Sequence, residues 1–374
     1  MNEKIAFLRG YDGPPLKIME VCGTHTAAIM KSGIRSFLPP GIRLVSGPGC
    51  PVCVTPTSYI DACLRVAGTP GGGAQACLAS FGDMLKVPGS AGTTLSDALG
   101  AGANVRMVYA PFDVLPLAEE NPGTEYVVAA VGFETTAPAY ALLMEEADER
   151  GLSNIRLLPA LKSALSAIDY ICAIGEDVDA FLCPGHVSVI TGSRAYEPLA
   201  EKYGKPFVVA GFEARHILEA VHRCAIDALA IRNEGRPGAV TNLYPEAVSE
   251  EGNPKALALI EQWFEKEDTP WRGLGTIPAS GYALKQERRR FSFGAVGNAS
   301  GEPPSGSHDP QDLTDLQASQ DSLPPGCRCG EVILGRIDPD ACPLFGASCT
   351  PAHAVGPCMV SSEGACGIWF KHSR

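Results

Sequence analysis

Residues 127–138, VVAAVGFETTAP, and residues 207–217, FVVAGFEARHI, repeat one pattern. Each is an apolar run that ends on Gly-Phe-Glu, at Gly132 to Glu134 and at Gly211 to Glu213, and then passes into a helical stretch. A glycine just past a strand permits a tight turn, and a glutamate in the first turn of a helix is favoured by the helix dipole. The echo therefore predicts two similar α/β units. Glu134 and Glu213 read either as capping acids in like surroundings or as members of a site.

Working outward, the first 245 or so residues alternate short apolar runs with Gly/Pro breaks and longer helical stretches, the signature of β/α units around a mainly parallel sheet. Strands are expected at KIMEV (17–21), IRLVSG (42–47), ACLASFG (76–82), NVRMVYA (104–110), EYVVAAVGFE (125–134), AFLCPG (180–185) and PFVVAGFE (206–213). Seven runs suit two sheets better than one. The expected division is a first α/β domain over 1–120, a second over 121–245 and a C-terminal region over 246–374. Within that region, 298–326 has no aromatic, valine or isoleucine and is rich in Ser, Pro, Gly and Asp, so it reads as a mobile linker ahead of a small segment at 327–374.

Hydrophobic residues make up 45% of the 374, enough for real cores. No apolar run approaches the roughly 18 residues of a membrane span, and MNEKIAFLRG lacks the apolar core of a signal peptide, so a cytoplasmic protein without membrane partners is expected. A formal net charge of −12, with 42 acidic against 30 basic residues, argues against nucleic acid as a ligand. No Gly-x-Gly-x-x-Gly or Walker motif points to NAD or ATP. Fourteen cysteines are many for a reducing compartment, which favours metal or redox roles.

Six of those cysteines fall within the final segment: Cys327, Cys329, Cys342, Cys349, Cys358 and Cys366. Zinc knuckles use repeated close pairs, whereas scattered cysteines on irregular loops suit an iron–sulfur cluster held by four thiolates. Two thiols are then left over, as inert core residues or as a pair exchanging electrons with the cluster. Near the start, SGPGCPVCVTP (46–56) sets Cys50 and Cys53 in a Cys-x-x-Cys directly after a strand, the context of a redox pair. IMEVCGTHTAAIM (18–30) ends a strand at Cys22 and begins a helix, where the local field would stabilise a thiolate; His25 follows three residues later. The four together could instead form a closed Cys₃His zinc site. CPGHVSVITG (183–192) adds His186 at a third strand end, and FGDMLKVPGS (81–90) adds Asp83. Strand-end loops of an open α/β sheet gather ligands, so one shared cleft is expected. Cys63, Cys77, Cys172, Cys183 and Cys224 read as packing residues.

Taken together, MEVCGTHT, GPGCPVCVTP, FGDMLKVPGS, VGFETTAP, PGHVSVI, WRGLG and the tail CRCGEVILG…CPLFG…CTP…VGPCMVSSEGAC closely resemble the HypD family of hydrogenase maturation factors, over about residues 17–371. The resemblance implies two similar α/β domains and a C-terminal domain holding a [4Fe-4S] cluster, as in ferredoxin–thioredoxin reductase. It implies a scaffold on which the Fe(CN)₂CO group of [NiFe] hydrogenase is assembled, with a HypC-type chaperone as partner and cyanide arriving by way of HypE. Cys22 would bind the transient iron, His25 would line that site, and Cys50 with Cys53 would be redox thiols. Cys327, Cys342, Cys349 and Cys366 would be the cluster ligands, leaving Cys329 and Cys358 as the exchangeable pair. A free-standing thiol–disulfide oxidoreductase is the alternative function.

Overall fold

The computed structural model describes residues 1–68, 76–293 and 323–372. The glycine-rich stretch at 69–75 and most of the expected linker, 298–322, lie outside the described residues. Eleven strands are present among those described: β1 (Leu16–Glu20), β2 (Ile42–Ser46), β3 (Cys77–Phe81), β4 (Val105–Val108), β5 (Tyr126–Gly132), β6 (Ile155–Lys162), β7 (Ala180–Pro184), β8 (Phe207–Ala210), β9 (Val240–Asn242), β10 (Phe264–Trp271) and β11 (Gly275–Leu284). All seven expected strands occur. The fold class is α/β with mainly parallel sheets flanked by helices.

The strands form two sheets, each at the centre of one compact unit. One unit comprises Met1–Cys50, Ala164–Leu257 and Pro325–Arg374, and its sheet runs β2-β1-β7-β8-β9. The other comprises Pro51–Ser163 and Ala258–Pro324, with a sheet ordered β10-β11-β6-β5-β3-β4. The expected boundaries at 120 and 245 are not the boundaries of these units. The chain leaves the first sheet after β2, builds the parallel part of the second, returns for β7 to β9, and supplies the second sheet again with β10 and β11. Apolar runs mark strands but carry no address: a parallel strand arrives by a long crossover and can insert beside any neighbour. Gly-Phe-Glu does occur once in each unit, after β5 and after β8.

The first sheet is parallel throughout, with Leu16 paired to Ile42, Ile18 to Ala180 and Phe181 to Phe207. Strands covered on both faces read as continuous apolar runs, as β7 and β8 do. Ile18, Leu44, Leu182 and Val208 of the sheet and Ile217 and Val221 of the helix Ala214–Glu234 belong to one buried cluster. The Phe181 and Phe207 rings stack across β7 and β8 at 5.0 Å. In the second sheet β4, β3, β5 and β6 are parallel, and the β10–β11 hairpin adds antiparallel to β6 through Leu161 and Lys162 alone. Pro159 sits in β6 beyond the reach of β11, so its missing N–H removes no bond on that side. Among the described residues no helix is long and apolar enough to cross a membrane.

Candidate functional site

In the first sheet the chain proceeds from β1 outward to β2 on one side and from β7 outward to β8 and β9 on the other. The strand order thus reverses between β1 and β7, and the carboxyl end of such a switch point is where open α/β sheets bind ligands. The segments leaving β1, β2, β7 and β8 there carry Cys22, Cys50, His186 and Phe212, His186 in the first turn of the helix Gly185–Thr191. Three of the expected loops therefore share one sheet edge, whereas Asp83 follows β3 in the other sheet.

Cys22 is the N-cap of the helix Gly23–Ser32 and is only 5% exposed. Two glycines make its cradle possible. A Cβ on Gly49 would overlap the Cys22 backbone nitrogen, and one on Gly23 would overlap the carbonyl of Glu363. Beneath it, the buried Glu20 carboxylate accepts the Cys22 N–H at 3.1 Å and the Thr26 hydroxyl. Burial raises the Glu20 carboxyl to about 7, against the hydrogen bonds from Thr26, Ser46 and Cys22 that oppose it. The helix end does not make Cys22 a ready thiolate as the sequence suggests: burial pushes the thiol up to about 12, outweighing the backbone N–H groups of His25 and Thr24.

His25 is fully buried. Its Nε2 lies 3.2 Å from both the Ala210 and Gly211 carbonyl oxygens, which can only accept, so Nε2 carries the proton. Its Nδ1 is left as a buried lone pair with no partner among the described residues, and burial lowers the imidazole to about 4, keeping it neutral. Phe212, from the second Gly-Phe-Glu, joins the two histidines: its ring lies 4.9 Å from His25 and 4.2 Å from His186. His186 is exposed, and partial desolvation lowers its pKa.

Cys50 and Cys53 are buried and joined as a disulfide around the short helix Pro51–Val54. The unit boundary falls inside this motif. With both sulfurs so engaged they are not free donors for the zinc alternative. Among the described residues no group of three or more His, Cys, Asp or Glu converges as for a single metal ion.

The tail belongs to the first unit and packs on the Cys22 helix. Thr24 Oγ1 lies 3.4 Å from a Glu363 carboxylate oxygen, while Arg35 covers the Trp369 ring at 4.4 Å and pairs with Asp338 at 3.0 Å. Cys327, Cys329, Cys342, Cys349, Cys358 and Cys366 all line one pocket, together with the apolar side chains of Val332, Leu344, Phe345 and Met359. Six thiols around one apolar chamber fit the soft donor set of an iron–sulfur cluster. The Sγ atoms of Cys329 and Cys358 are 3.1 Å apart and buried. The hydrogen bonds of Cys358 with Cys329 and Cys366, and then its burial, raise its pKa well above the ordinary thiol value. Burial pushes Cys327 up to about 12 and raises Cys349, whose sulfur accepts the Val355 N–H at 3.4 Å.

The two glutamates part company. Glu134 is 2% exposed and accepts from Ser163 Oγ at 2.7 Å and from the Tyr282 hydroxyl at 3.2 Å, whereas Glu213 is exposed and pairs with Arg215 at 2.9 Å. Cys63, Cys77, Cys172, Cys183 and Cys224 are all buried. Sequence reasoning missed Glu20, Phe212 and the buried Arg272. Glu20 had one signal, a charge interrupting an apolar strand two residues before Cys22.

The family model for HypD, described as the hydrogenase formation hypA family, matches residues 2–373. The chain is 40% identical over 382 residues to the hydrogenase maturation factor HypD of Escherichia coli (strain K12), spanning 100% of this chain and 94% of that relative. It is 39% identical over 369 residues to HypD of Rhodobacter capsulatus, spanning 96% and 89%, and 36% identical over 372 residues to HypD of Cupriavidus necator, spanning 97% and 91%. The chain belongs to the HypD family of hydrogenase maturation factors.

Proposed function

We propose that this chain, acting in hydrogenase maturation as its family does, is the scaffold on which the Fe(CN)₂CO group of a [NiFe] hydrogenase is assembled, with Cys22 as the chain's sulfur ligand to the iron cargo. The observation that carries this reading is the shared unit. The strand-end site of Cys22 and His25 and the six-cysteine chamber lie in one compact body, with Glu363 of the tail packed on the Cys22 helix. A HypC-type chaperone would supply a second cysteine to the iron, and HypE would bring cyanide.

The residues divide the work. Glu20, by holding the Cys22 N–H, and Gly49, by its close approach, fix where the Cys22 sulfur sits. His25 offers the Nδ1 lone pair, which can accept a hydrogen bond and so orient a ligand, because its other nitrogen is tied to two carbonyls. Cys50 and Cys53 form a two-electron couple: reduction of their disulfide takes up two electrons and two protons and yields two thiols. Cys327, Cys342, Cys349 and Cys366 would hold a [4Fe-4S] cluster, which supplies one-electron transfer when bound. Cys329 and Cys358 need to close by about 1 Å to form a disulfide, so their oxidation releases two electrons and two protons with little rearrangement. Their closeness and the Cys50–Cys53 disulfide also suit the second reading, a free-standing thiol–disulfide oxidoreductase.

Anaerobic co-purification with a HypC-type chaperone tests the proposal. Iron with acid-labile sulfide, together with infrared bands of cyanide and carbon monoxide on the complex, is the expected result. Iron and sulfide without those bands would favour the oxidoreductase; a colourless protein containing zinc would overturn both.

A further inference from the structure

Among the described residues Arg272 is the most anomalous charge. It stands at the end of the β10–β11 hairpin, where Leu274 N–H donates to the Trp271 carbonyl at 3.0 Å and Gly273 takes a φ of 74°. A hairpin tip ordinarily offers its side chain to water, yet Arg272 is 0% exposed. Among the described residues, its Nε, Nη1 and Nη2 are all without a hydrogen-bond partner. A guanidinium keeps its charge in any protein environment and can only donate, so a buried one left unmatched is among the costliest arrangements a fold can hold.

The backbone around it is rigidly held. Arg272 N–H donates to the Val54 carbonyl at 2.9 Å, the Trp271 indole donates to Ser280 Oγ at 2.7 Å and stacks on Phe133, and Lys162 Nζ donates to the Pro270 carbonyl at 2.9 Å. Four residues after Val54, the Ser58 hydroxyl is also buried without a partner, in the first turn of the 11-residue helix Thr57–Ala67. Among the described residues of this unit the buried charges are Lys162, Arg272 and Glu134, a surplus of one positive charge. Glu134 already receives Ser163 and Tyr282, and Lys162 is bound to a carbonyl. The missing counterpart is a single negative charge.

We infer that the end of this hairpin is a receptor for a compact monoanion, with the Arg272 guanidinium as its principal donor. The ligand class is a small monoanion that ends in a hydrogen-bond acceptor, as a carboxylate does. The inference does not depend on iron at Cys22, and its test uses the full chain alone.

Millimolar sodium thiocyanate and sodium acetate serve as the two probes, with sodium chloride at equal ionic strength as reference and thermal unfolding plus calorimetric titration as readouts. The expected result is that at least one probe binds and raises the melting temperature above the chloride value, and that Arg272→Met weakens that binding by about ten-fold or more. Without probe, Arg272→Met should melt at or above the wild-type temperature, because it removes an unmatched buried charge. Should Arg272→Met fail to fold, Arg272→Lys keeps the charge but loses the planar fork and should bind the effective probe measurably more weakly. No response of the wild type beyond chloride, or an equal response in the variants, overturns the proposal.

Discussion

The same tripeptide leaves β5 and β8, and its side chains meet opposite fates. After β5, Phe133 stacks on the fully buried Trp271 at 6.0 Å, and Glu134 turns inward to Ser163 and Tyr282. After β8, Phe212 lies between His25 and His186, and Glu213 turns outward to Arg215. The glycine and the strand exit are alike, so local sequence does not make the difference. What differs is the company the sheet supplies: a hairpin with a tryptophan and a tyrosine in one unit, histidine-bearing strand ends in the other. The first Gly-Phe-Glu thus builds interior structure, while the second places an aromatic wall beside a candidate ligand.

If that contrast is right, Phe133→Ala should have the largest effect, about 3–5 kcal/mol in urea unfolding, because it strips a buried ring from Trp271. Phe212→Ala, at a half-buried site, should cost distinctly less, and equal losses would erase the distinction. Next, Glu134→Ala leaves the Tyr282 and Ser163 hydroxyls without this acceptor and should destabilise by about 1–3 kcal/mol. Glu213→Ala removes only an exposed ion pair and should move stability by less than about 0.5 kcal/mol. A Glu213 variant as damaging as the Glu134 variant would show that the two acids do equivalent work after all.

Much of this was legible in the residues. Seven apolar runs marked seven strands, and the strand-end placement of Cys22, Cys50 and His186 followed from them. The grouping was not legible, since nothing in a buried parallel strand states which sheet receives it. Strands β6, β9, β10 and β11 escaped for different reasons: IRLLPALK contains a proline mid-run, β9 is only three residues long, and FEKEDTPW reads as a charged loop until it is seen at a sheet edge, where one row of backbone groups needs no partner. Chemically, the six tail cysteines stood out as a group by number and scatter, and the fold brings all six around one pocket. The state of Cys22 could not be read, because the helix end was visible in sequence and the burial that overrides it was not.

The central claim is that the Cys22 sulfur holds the iron cargo while the tail cysteines hold a separate redox centre. The direct measurement is infrared and ultraviolet–visible spectroscopy of the Cys22→Ala protein, co-purified anaerobically with a HypC-type chaperone, beside the unaltered complex. The account predicts loss of the cyanide and carbon monoxide bands with the cluster absorption retained. Retention of both sets of signals would contradict it.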